Sequence, residues 1–173
     1  MENILAVSKN KVIIKNSILD LFAVAFIYLV PTVSHLFSYP LYIFDPMRMM
    51  LILALAHSTK RNSFILALSL PVVSFLISAH PAFLKALLMT GELTINVFLF
   101  YILQKKFSHV YLSVFASIII AKIFYYLGKV LLVNFSLLKM DVVSTSLLLQ
   151  LLLALIFSTY VYLIWRSKTE KIS

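Results

Sequence analysis

The sequence predicts an all-α, polytopic membrane protein: a six-helix transmembrane bundle with both termini on the cytoplasmic side. Three observations carry that expectation. Apolar residues make up 62% of the 173-residue chain and charged residues only 12%, where an ordinary soluble domain is nearer ~45–50% and ~25%. The apolar residues fall in runs of roughly 20, the length one helical crossing requires. Lysine and arginine gather in alternate connections, and that asymmetry sets orientation.

Taken in order, residues 1–16 alternate charge with Ile4, Leu5, Val7, Val12, Ile13 and Ile14, as a segment lying on cytoplasmic headgroups does. The transmembrane domain occupies 17–166 and a cytoplasmic tail 167–173. The first span covers 18–37, too long for a signal-peptide core, with Pro31 kinking its outer end. Residues 38–46 hold Pro40, Asp45 and Pro46, and a residue before proline disfavours helix; this is a partly buried outer loop. The second span, 47–59, is short unless it begins within that loop, and a re-entrant second segment reduces the count to five. The third covers 62–79 and bends at Pro71. The fourth, fifth and sixth cover 82–104, 109–133 and 142–165. Lys9, Lys11, Lys15, Lys60, Arg61, Lys105, Lys106, Arg166, Lys168 and Lys171 then all fall on one side, the cytoplasm by the positive-inside tendency. The expected location is the cell membrane, crossed several times and in contact with its lipid.

Composition also removes whole classes of function. The absence of cysteine excludes disulfides, thiolate metal sites and a cysteine nucleophile. With two glycines there is no phosphate-cradling loop, so the chain is not itself a P-loop ATPase. The four histidines show no metal-ligand spacing, and no serine stands in a Gly-x-Ser-x-Gly nucleophile motif. The expectation is therefore no catalytic residue, no metal and no cofactor. The net charge of +9 is assigned to cytoplasmic loops and not to nucleic-acid binding.

Depth then singles out residues. Glu92 is about ten residues into a helix that starts outside, roughly 15 Å deep at 1.5 Å per residue. Lys122 is about thirteen residues into a helix that starts inside, ~20 Å from the inner face. The two meet in the outer half. Asn96 shares a helical face with Glu92, and Gln150 enters from outside at a comparable level. Asp45, Arg48 and His80 lie at outer helix ends, with Tyr126 nearby. Intramembrane ionisable groups mark solute or ion pathways, so Glu92, Asn96, Lys122, Arg48, Asp45, His80, Tyr126 and Gln150 form the candidate substrate-binding set. Each has a plainer reading: Glu92 with Lys122 as a structural ion pair, Arg48 neutralising Asp45, Asn96 as an interhelical peg, Tyr126 as packing, His80 as a turn residue. Because Arg48, Lys85, Lys122 and Lys129 outnumber Asp45 and Glu92, a carboxylate-bearing solute is the expected occupant.

Pro71, Ser74, the His80-Pro81 turn, Met89, Glu92-Leu93 and Asn96 resemble the third and fourth spans of substrate-binding S components of energy-coupling factor (ECF) transporters. That resemblance implies six short spans and an outward pocket for a vitamin-like micronutrient. It also implies partners: a transmembrane coupling subunit and two ATPases. The first span lacks the Ala-x-x-x-Ala repeat by which many S components contact the coupling subunit. Small-residue faces around Ala54, Ala56, Ser63 and Ala67 become the candidate coupling surface. The alternative is a non-transporting scaffold subunit of a cell-envelope complex.

Overall fold

A computed structural model describes residues 2–78, 81–107, 109–138, 141–143 and 145–170. Apolar runs with few helix breakers form six α-helices: α1 (Glu2–Leu36), α2 (Pro46–His57), α3 (Lys60–Ser78), α4 (Phe83–Lys106), α5 (Val110–Asn134) and α6 (Leu147–Glu170). A 3₁₀ turn, Leu41–Phe44, precedes α2. No strand occurs among the described residues.

Five of the helices are long and apolar enough to cross a membrane. The exception is α2. Its 12 residues reach only ~18 Å against a hydrocarbon core of ~30 Å, so the second of the six expected spans does not cross as a helix. Pro46 is the cause, because it fixes the first helical position after a stretch that already holds Pro40. Nothing between residues 2 and 30 breaks a helix, so from Glu2 onward the segment expected on the headgroups continues into the first span as one helix, α1. Both Pro31 and Pro71 lie inside continuous helices, as membrane spans allow where neighbours re-satisfy the freed carbonyl.

Helices α1, α3, α4, α5 and α6 pack in that order as an arc, and α2 fills its inner side, touching α1, α3, α4 and α6. Eight of the 12 α2 residues are buried, Leu51 and Ala54 completely. By contrast α1 is the least covered of the long helices, with 11% of its apolar window buried. Core positions on α4 and α5, including Val97, Phe100, Val114 and Ile118, are 0% exposed. Ala54, Ala56, Ser63 and Ala67 are likewise 0–1% exposed. These faces are consumed in packing α2 against its neighbours, so they are not free to meet a coupling subunit.

Several hydroxyls inside the bundle spend themselves on their own helix. Thr90, Ser113 and Ser158 each donate to the carbonyl four residues back, which satisfies them without any partner helix; Ser63 does the same and also meets Tyr101 of α4. Gly128 serves the close approach of α5 to α4, where a Cβ would stand 2.7 Å from the Leu88 Cδ2 atom.

Phe98 and Phe100 test the assignment of faces on α4. Phe100→Ala lowers stability by about 3–5 kcal/mol, whereas Phe98→Ala, at a position 55% exposed to the surroundings of the bundle, stays within about 0.5 kcal/mol. Unfolding midpoints of both variants in the same detergent check this.

Candidate functional site

The site begins where α2 begins. Asp45 has φ 53° and ψ 59°, a left-handed conformation that aspartate tolerates better than most residues, and Pro46 then starts the helix. Arg48 lies one turn on, so its side chain folds back and its Nε donates to Asp45 Oδ2 at 2.8 Å. Its Nη2 donates across the bundle to Glu92 Oε1 on α4. Lys122, midway along α5, reaches both carboxylates, with Nζ 3.3 Å from Asp45 Oδ2 and 3.5 Å from Glu92 Oε1. Arg48 is 1% exposed and Glu92 6%. Four charges from three elements and one connection thus form a single balanced cluster.

One layer nearer the α6 start, Gln150 donates from Nε2 to the Tyr126 hydroxyl at 2.5 Å and to the Thr145 carbonyl at 2.9 Å. One turn along α4 from Glu92, toward Lys106, Asn96 donates to Ser117 Oγ on α5 at 3.3 Å. Between the charged cluster and Gln150 lies a cavity of about 40 Å³, bordered by Asp45, Arg48, Lys122 and Gln150 and by Ile43, Ile118, Leu153, Ala154 and Phe157. Arg48 Nη1, Gln150 Oε1 and Asn96 Oδ1 are buried without a hydrogen-bond partner.

The sequence-derived set is largely brought together. Glu92, Lys122, Arg48 and Asp45 touch one another; Gln150 and Tyr126 are bonded beside them. Asn96 is separate, bound to Ser117 and absent from the cavity wall. His80 lies outside the described residues. Arg48 and Lys122 are each in contact with both carboxylates, so the two cations on the cavity wall are matched there. Lys129 lies over the Tyr125 ring, 5.9 Å from its centroid, and neither it nor Lys85 borders the cavity.

The sequence reading also passes over a second polar cluster near the lysine-rich end. Asn62 on α3 donates to Asp20 Oδ1 on α1 at 2.6 Å, and Ser58 donates to Asn16 Oδ1 at 2.8 Å. The rule that marks Glu92, a carboxylate inside an apolar run, applies equally to Asp20. At the same end His57 Nε2 lies 2.7 Å from the Tyr160 hydroxyl, and Lys168 Nζ donates to the Ala56 carbonyl at 2.5 Å, capping α2.

Removing one member of the buried charge cluster strands its partner. Arg48→Ala costs about 3–5 kcal/mol. Removing Arg48 and Glu92 together, as Arg48→Met with Glu92→Leu, leaves the balanced pair Asp45–Lys122 and recovers most of that loss. A double-mutant cycle on unfolding free energies measures the coupling.

No known protein family, no curated protein and no solved structure matches the chain. The likeness to ECF S components rests on residues 70–103 alone.

Proposed function

We propose that this chain is the substrate-capture membrane subunit of an ECF-type importer, binding a vitamin-like small molecule and handing it to a coupling subunit powered by two separate ATPases. It sits in the cell membrane with both termini in the cytoplasm. That orientation follows from the gathering of Lys15, Lys60, Arg61, Lys105, Lys106, Arg166 and Lys168 at one end of the helices together with the positive-inside tendency.

The observation that carries the reading is the convergence of polar groups from α2, α5, α6 and the residue 37–45 connection around one cavity, with Glu92 of α4 bonded behind Arg48. Such convergence suits binding because irregular backbone at membrane depth is tolerated where it is buried in protein or lines a cavity. Below the charged cluster the bundle is filled by Leu51, Leu55, Val97, Phe100 and Val114, all 0–2% exposed. A solute caught above them has no route through this chain alone, which fits a subunit that needs a partner to complete transport. The cavity takes a solute's head group only; its body displaces the 37–45 connection.

A second reading has its own support: the four charges satisfy one another, as they would in a structural clasp holding a scaffold subunit together. The two readings part experimentally. Native mass spectrometry of the chain extracted from its own membranes retains a small solute or an ATPase-containing complex if it is a capture subunit. Lys122→Met then loses the solute while the folded chain persists. A scaffold retains neither, and Lys122→Met lowers its stability while leaving its partner interaction intact.

A further inference from the structure

We propose that the lysine-rich end of the seam between α1 and α6 holds an anionic phospholipid, its phosphodiester between Lys15 and Lys168 beside His57 and an acyl chain along α2. The inference is independent of whether the chain captures a solute. Its first support is the way the arc closes. Helices α1 and α6 are the two ends of the arc and each packs on α2, yet among the described residues they do not pack along each other. The short helix therefore stands in the gap between them. Arg48 bonds Glu92 of α4, in the middle of the arc. His57 is nine residues further on, about two and a half turns at 3.6 residues per turn, so it lies on the opposite side of α2. Pro46, Met49 and Leu53 share that side with His57, at the three- and four-residue spacing of one helical face. These four are the α2 residues that keep partial exposure; the other eight are buried. A mainly apolar stripe thus runs along the seam and ends at His57.

Charge supplies the second support. Lys15 on α1 and Lys168 on α6 stand near enough to His57, and to each other, for their charges to interact. The charges acting on His57 and on Lys168 are all positive. The acids of the same two helices are engaged elsewhere, Asp20 with Asn62 and Glu170 with Arg166. Lys168 donates to the Ala56 carbonyl, and an ammonium has three hydrogens to give. The C-terminus of α2 contributes about −0.5 charge. Two lysines and a neutral imidazole therefore leave the seam at about +1.5, and one phosphodiester brings it near +0.5. A zwitterionic lipid carries its own cation and leaves the balance unchanged. Basic pockets between helices on the cytoplasmic side bind anionic head groups for this reason. Depth selects a lipid over a free anion: Lys168 ends the apolar window of α6, at head-group level, and only a lipid also covers Met49 and Leu53.

Native mass spectrometry of the full chain in detergent, titrated with dioleoyl phosphatidylglycerol or dioleoyl phosphatidylethanolamine, tests this. One phosphatidylglycerol binds ahead of any phosphatidylethanolamine. Lys15→Gln with Lys168→Gln weakens that first event about thirty-fold. Lys15→Gln alone, at an exposed position and so harmless to the fold, weakens it about five-fold. Lys105→Gln with Lys106→Gln removes the same charge from the ends of other helices and leaves the first event unchanged. The proposal is overturned if the two lipids bind alike, if the first phosphatidylglycerol survives both Lys15 variants, or if the Lys105 and Lys106 pair matters as much. It is equally overturned if millimolar inorganic phosphate displaces the lipid, for the site then takes a soluble anion.

Discussion

The cluster of Asp45, Arg48, Glu92 and Lys122 constrains more of this molecule than any other interaction. Each of these ions costs several kcal/mol to remove from water even after relaxation, and that loss is offset only when opposite charges meet in good geometry. Meeting requires that α2 start at the depth of Glu92 on α4 and Lys122 on α5. It also requires the connection before α2 to descend from the end of α1 to that level. The left-handed Asp45 and the short helix that Pro46 starts both serve this one electrostatic demand. With Asp45 at its N-cap and Lys168 on the Ala56 carbonyl, α2 has each end matched to the appropriate sign of charge.

A half-length helix inside an arc of full-length ones is an arrangement with functional use in membranes. The irregular connection before it brings backbone polarity inside the bundle, and in many transporters interrupted helices of this kind hold solutes and ions. Here the place is bounded on one side by polar side chains from three helices and on the other by close apolar packing. Along the bundle axis the polar side chains at this level give way to close apolar packing at Leu51, Val97 and Phe100.

Much of this was legible in the sequence, and the rest failed for definite reasons. Residues Glu92 and Lys122 could be paired because loop lysines fix the direction of each span and helix rise converts position into depth. The level of Gln150 followed from the same count, but its bond to Tyr126 did not. The Arg48–Glu92 contact did not, because the level of α2 depends on how far residues 37–45 descend, and no periodicity records that. Counting cations against anions could not show that Arg48 and Lys122 already touch both carboxylates. The small-residue faces at Ala54, Ala56, Ser63 and Ala67 signal close packing equally well within a chain or between chains. Only the position of α2 inside the arc decides between the two.

The bonds from α1 to the α2–α3 turn have a bearing on biosynthesis. Asp20 finds its partner 42 residues later in the chain. At roughly 5–20 residues per second, Asn62 is added about 2–8 s after Asp20. The bond that sets the rotation of α1 against α3 therefore forms only once the third helix has been made and has joined the first.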